Sequence, residues 1–167
     1  MTLPLRFICC DVSNAGSGGG GVCLQPVSLS EAADRAAVTR LAEQCRLGDP
    51  IHAGHFAPIG LLAELISRPG RTVHAWLAWP AGYREAAADC PLGLVALVAA
   101  GPAASPRCSI AWLLVDPAAR RRGVAKALVS AAVAQAALLG ATQVFAETHA
   151  EWTVAAAFWQ AVGFKGV

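Results

Sequence analysis

Charge is scarce in this 167-residue chain: Lys, Arg, Asp and Glu make up 14% and leave a net charge of +2. So small an excess does not by itself imply nucleic-acid binding. No apolar run reaches the ~20 residues of a membrane-spanning helix. The longest, around Pro91 to Ala104, is broken by Gly and Pro. The opening MTLPLRFICCDVSN has no basic leader and is interrupted by Arg6 and Asp11. No secretion signal is read there, and a cytoplasmic, membrane-free protein is expected. The six cysteines (Cys9, Cys10, Cys23, Cys45, Cys90 and Cys108) contain no CxxC pair. Reduced and mostly buried thiols are therefore expected, with no metal site. His52, His55 and His74 are too scattered to supply one.

What is present is apolar sequence, 56% of the chain and rich in alanine. That composition suits one compact domain and argues against disorder. The only low-complexity piece is SNAGSGGGG, Ser13 to Gly21. It runs into the strand-like VCLQPV and not into a helix, so it reads as a flexible connector and not a phosphate loop. The expected division is an N-terminal extension with its connector over 1–21 and a folded domain over 22–167. Whether the strand-like LPLRFICC pairs with that domain is left open by pattern alone.

Ser28 with Glu31 matches a capping box before a helix that ends at Gly48-Asp49-Pro50, and IGLLAELIS predicts a second, short helix. RTVHAWLAW, LGLVALVAA and SIAWLLV read as strands, followed by a helix to Leu139 with Gly140 as its stop. QVFAE is a further strand, and EWTVAAAFWQAV a last helix. The order βααβββαβα predicts an α/β fold, a mixed sheet with helices on both faces.

The stretch DPAARRRGVAKALV, Asp116 to Val129, is the strongest chemical signal. A strand delivers the chain to a turn, and the helix is expected to begin near Arg121 or Arg122. The first N–H groups of a helix lack intrahelical partners and carry the positive end of its dipole. Gly123 lets a ligand approach the backbone, Ala125 keeps the next turn small, and Arg120 and Lys126 add charge at the edge. Together they predict an anion site. One charge at a helix end gains only about 0.3–1 kcal/mol, so several amides must act together, and a diphosphate fits better than a lone phosphate. No GKS, GKT or GxGxxG occurs, which sets aside the Walker and dinucleotide loops.

In this register, VDPAARRRGVAKALV resembles the acyl-CoA-binding motif of the GNAT superfamily of N-acetyltransferases, Q/R-x-x-G-x-G/A, with Arg120, Gly123 and Ala125 at its defining positions. AAAFWQAVGF, Ala155 to Phe164, resembles the second family hallmark. The resemblance covers about Leu24 to Phe164. It implies the GNAT fold and acetyl-CoA as co-substrate, without metal. It also implies that Arg121, Gly123, Val124, Ala125 and Lys126 hold the diphosphate. Leu113 and Val115 would offer backbone groups to the thioester and pantetheine, and an N–H near Leu113 would polarise the thioester carbonyl.

The implied activity is acetyl transfer to a primary amine of a small or amino-acid-like acceptor by direct attack. An alkylammonium needs help in losing its proton at pH 7. The glutamate that some members carry on the motif strand is Ser109 here, so Glu147 and His149 are the candidate bases. The tyrosine that many members use as an acid is replaced by Trp159, and a usual asparagine by Trp152; the only tyrosine is Tyr83. These departures support an alternative, a catalytically silent acyl-CoA-binding module. Family members also continue past Gly-Phe with two strands that this chain is expected to lack, so that either the frame is truncated or LPLRFICC or a partner chain supplies the missing edge. An uncovered edge would favour self-association, hence a homodimer. Nucleic-acid binding through Arg120–Arg122 lacks interleaved aromatics.

Overall fold

A computed structural model describes residues 5–11, 21–28, 30–48, 69–82, 90–149 and 152–166. The expected helix IGLLAELIS, His52, His55 and Tyr83 lie outside these residues. Seven strands form one sheet in the order β2-β3-β4-β5-β6-β1-β7. They are β1 (Leu5–Asp11), β2 (Val22–Pro26), β3 (Arg71–Pro80), β4 (Gly93–Ala100), β5 (Arg107–Val115), β6 (Gln143–His149) and β7 (Lys165–Gly166). Three described helices accompany them: α1 (Ala32–Gly48), α2 (Val124–Leu138) and α3 (Thr153–Ala161).

The central strand β4, GLVALVAA, is apolar on both faces because helices cover both. Leu94, Val95, Ala96 and Leu97 are fully buried. On one face α1 lays Ala37, Val38, Leu41, Ala42 and Cys45 against Leu77, Trp79, Leu94, Ala96 and Leu114. On the other, α2 packs Val124, Leu128, Val129, Ala132 and Ala136 onto Val95, Leu97, Cys108, Ile110 and Val144, with Trp159 and Phe164 closing the cluster. Alanine at the contact positions of α2 lets the helix sit close to the sheet with no side-chain entropy to lose.

The capping box is not built as the pattern suggests. The helix starts at Ala32, and the Ser28 N–H donates to the Asp34 carboxylate at 2.7 Å, not to Glu31. Asp34 is acidic in the first turn and reaches back, satisfying a backbone donor while favouring the helix dipole. Gly48 is the last residue of α1, and a Cβ added there would overlap Pro117 Cγ. Gly48→Ala should therefore lower stability by about 1–3 kcal/mol, a fall of several degrees in Tm. An unchanged or raised Tm would mean that Pro117 moves aside freely.

LPLRFICC does pair with the domain. β1 runs antiparallel to β6 along its whole length, from Leu5↔His149 to Asp11↔Gln143. Its far side meets β7 only at Ile8↔Gly166 and Cys9↔Lys165. Of the alternatives for the edge beyond β6, the structure thus has the N-terminal strand in that place, and the segment after Gly163-Phe164 adds a short strand outside it.

Candidate active site

The site begins with a fault in the sheet. β4 and β5 pair antiparallel, but the register shifts between Ala96/Leu97, where Trp112 opposes Ala96 and Ile110 opposes Leu97. Ala111 is the extra residue. Such a bulge bends its strand, and beside it β5 loses its other neighbour. The parallel pairing of β5 with β6 covers only Cys108↔Val144, Ser109↔Phe145 and Ile110↔Ala146. Beyond that point neither strand is bonded to the other, and the sheet opens into a cleft.

The direction of the backbone groups in that cleft follows from one hydrogen bond. The Asp116 N–H donates to the Leu92 carbonyl at 3.0 Å. In an antiparallel ladder bonded and non-bonded pairs alternate. Leu114 and Trp112 therefore turn their backbone groups toward β4, and Leu113 and Val115 turn theirs toward the opening. The Val115 carbonyl has a weak donor there, the Cys45 Sγ at 3.6 Å. The Leu113 and Val115 side chains are half-buried against the α2 side of the core.

β5 then feeds the arginine loop. Asp116 caps a single 3-10 turn, Pro117–Ala119, by accepting the Ala118 N–H at 3.0 Å. Arg121 (φ 63°) and Gly123 (φ 82°) are left-handed, so α2 begins at Val124 and not near Arg121 or Arg122 as expected. A helix cannot propagate through positive φ, and Arg121 pays a steric cost that glycine does not. Gly123 is the N-cap and has no side-chain cap bond. The first bond onto its carbonyl comes from the Ala127 N–H at 3.0 Å, so the N–H groups of Val124, Ala125 and Lys126 have no helical acceptor. Val124 is 2% exposed and anchors the turn in the core, while Arg120, Arg121, Arg122, Gly123 and Lys126 are exposed around it. A Cβ at Gly123 would meet nothing within 4 Å; the glycine serves its φ and leaves the space over the amides open.

The structure thus joins Leu113, Val115, Arg120, Arg121, Gly123, Val124, Ala125 and Lys126 in one continuous strand–turn–helix. Glu147 and His149 lie on β6, past the last residue paired with β5. Glu147 is exposed on the α1 face of the sheet, since its neighbours Ala146 and Thr148 are buried on the other; the His149 side chain is outside what is described. Trp159 is 6% exposed, edge-on to Phe158 and Phe164, and so belongs to the core. Trp152 is the N-cap of α3 and not a residue of its face. The bulge at Ala111 was not readable from sequence, because an alanine within SIAWLLV carries no local sign of it.

Thiol chemistry has little support. Burial and the nearby Asp116 carboxylate raise the Cys90 thiol above its usual range, and burial raises Cys108. Both stay protonated at neutral pH and are poor nucleophiles. Cys23, Cys45, Cys90 and Cys108 are free, and no group of metal-ligating side chains occurs among the described residues. Among the same residues no helix is long and apolar enough to cross a membrane.

Residues 52–164 match the model of the acetyltransferase (GNAT) family, more than half of the chain. No curated protein matches in sequence. Among solved structures, the aminoglycoside N-acetyltransferase AAC(6')-Iy in complex with CoA superposes with a TM-score of 0.61 at 20% identity, over 88% of this chain and 90% of that one. An aminoglycoside acetyltransferase from an uncultured soil metagenomic sample, in complex with sisomicin, gives 0.60 at 15% identity, over 84% and 86%. A tandem GNAT protein from the clavulanic acid biosynthesis pathway gives 0.65 at 14% identity; the match covers 99% of this chain but 51% of that one, about half its length. At these identities the likeness is one of fold.

Proposed function

The chain belongs to the GNAT family of acetyltransferases, and on that premise we propose that it transfers the acetyl group of acetyl-CoA to a primary amine of a small or amino-acid-like acceptor. The observation that carries this reading is the parting of β5 from β6 after Ile110 and Ala146, directly upstream of a helix start with unpaired amides. An extended pantetheine arm fits along the edge of β5 like a strand, bonded to the backbone of Leu113 and Val115. The amides of Gly123, Val124, Ala125 and Lys126 take the diphosphate, with Arg120, Arg121 and Lys126 supplying charge.

In that pose the Leu113 N–H points at the thioester oxygen and stabilises the charge that develops on it. The amine nitrogen attacks the carbonyl carbon, the C–S bond breaks, the electron pair leaves on the CoA sulfur, and the second nitrogen proton passes to solvent as the amide forms. Glu147 takes the ammonium proton before attack; His149, two residues on, is the second candidate. Trp159, at the position of the family's tyrosine, is core and offers no proton, so in this reading the thiolate takes its proton from solvent. The test is release of free CoA thiol and the mass of the acetylated product over a panel of primary amines. Product with any amine supports the transferase. No product from protein that binds acetyl-CoA leaves the silent acyl-CoA-binding module, which the Ser109 and Trp159 replacements favour.

A homodimer is part of the same reading. Among the described residues β7 bonds to β1 only at Ile8 and Cys9, and no other described strand takes the rest of that edge, where a second copy could pair. Light scattering at micromolar concentration should give twice the 17.1 kDa chain mass; a mass of one chain removes the dimer.

A further inference from the structure

On the α1 face of the β5–β6 pair, below the point where the strands part, lies a group of side chains with no part in holding acetyl-CoA. The Arg107 guanidinium sits over the Phe145 ring at 4.7 Å from its centroid. Ser109 pairs with Phe145 in register, and Glu147 is the next residue of β6 on the same face. Arg107 is exposed, and its contact with the Phe145 ring is not accompanied by an ion pair to a described carboxylate. Buried Cys108 and Ile110 fix this orientation, for they point Arg107 and Ser109 to the opposite face.

We propose that Arg107 is an acceptor-recognition residue, and that the acceptor carries a carboxylate some distance from the amine that is acetylated. The inference rests on the transferase reading above. Glu147 stands at the mouth of the cleft, where the amine must lose its proton. Two residues of strand separate it from Phe145, so the guanidinium and the Glu147 carboxylate are on the order of 7–10 Å apart. That span suits an amino acid acetylated on a side-chain or ω amine, with its ammonium at Glu147, its methylenes on Phe145 and its carboxylate on Arg107. An α-amine next to its own carboxylate bridges that span only when stretched in a line between the two groups, off the Phe145 ring. A polycation finds Arg107 repulsive. A guanidinium held against a ring face keeps its outward N–H groups free for a bidentate carboxylate contact.

The test compares three amines: 5-aminopentanoate, pentylamine and β-alanine. With wild type, kcat/KM for 5-aminopentanoate should exceed that for either of the others by about tenfold or more, mainly through KM. Arg107→Gln should erase the preference over pentylamine while leaving the pentylamine rate and the acetyl-CoA affinity unchanged. Pentylamine used as well as 5-aminopentanoate by wild type, or a preference that survives Arg107→Gln, overturns the assignment while the transferase reading stands. If no amine is acetylated the transferase reading fails by itself, and calorimetry of the CoA-loaded protein decides the recognition separately. 5-Aminopentanoate binding that Arg107→Gln abolishes supports it, and no binding overturns it.

Discussion

Glu147→Gln should lower kcat about hundredfold or more at pH 7 and leave the affinity for acetyl-CoA unchanged. A primary amine with pKa about 10.4 is protonated in all but about one molecule in 2,500 at pH 7. A carboxylate at the place where the strands part removes that proton within the complex; an amide of the same shape does not. The variant should also differ in shape of profile. Its rate should climb about tenfold per pH unit toward the pKa of the amine, as the free base becomes available from solvent, while the wild type flattens earlier. Steady-state rates from pH 6.5 to 10 with direct acetyl-CoA binding measured alongside check this. A variant with wild-type kcat and profile would move the role of base to His149 or to water.

A chain starting at Val12 should lose its cooperative fold or aggregate at micromolar concentration. β1 contributes an antiparallel ladder of seven residues to β6. At roughly one hydrogen bond per residue and about 0.5–1.5 kcal/mol net for each, the loss is comparable with the whole stability of a domain, about 5–15 kcal/mol. It also bares the edge of β6, a strand whose Val144, Ala146 and Thr148 are at most 3% exposed, and such an edge templates association. A peptide of residues 1–11 added in trans should restore the melting transition. A truncated chain that melts within a degree or two of the full chain would mean that β1 is an accessory strand.

The arginine loop was legible because its signals are local. Asp-Pro ends a strand, Gly123 supplies a left-handed turn, and alanines open the helix, all within fourteen residues from Asp116 to Val129. That helix starts two or three residues beyond the expected place, because nothing in the letters of Arg121 announces φ 63°. The helix cap differs for a similar reason: the pattern of letters does not separate Glu31 from Asp34 as the acceptor of the Ser28 N–H, which goes to Asp34. What joins distant segments was not legible. β1 meets β6 across more than a hundred residues, and a one-sided pattern such as LRFICCD does not say which edge it completes. The cleft depends on a bulge at Ala111, and Arg107 finds Phe145 only through the register of β5 against β6. Glu147 was reachable by counting along its strand, whereas the Arg107–Phe145 contact needed the fold.

The central claim is that the loop from Arg120 to Lys126 holds the diphosphate of acetyl-CoA. The measurement that tests it is a melting curve with and without acetyl-CoA, for the wild type and for Gly123→Glu. At a hundred times its dissociation constant the ligand should stabilise the wild type by about 2.7 kcal/mol, a rise of several degrees. Gly123→Glu places a carboxylate over the same amides and strains a φ of 82°, so a folded variant should gain nothing from acetyl-CoA. A wild type that does not respond, or a variant that responds equally, would contradict the assignment and leave the three arginines as surface charge.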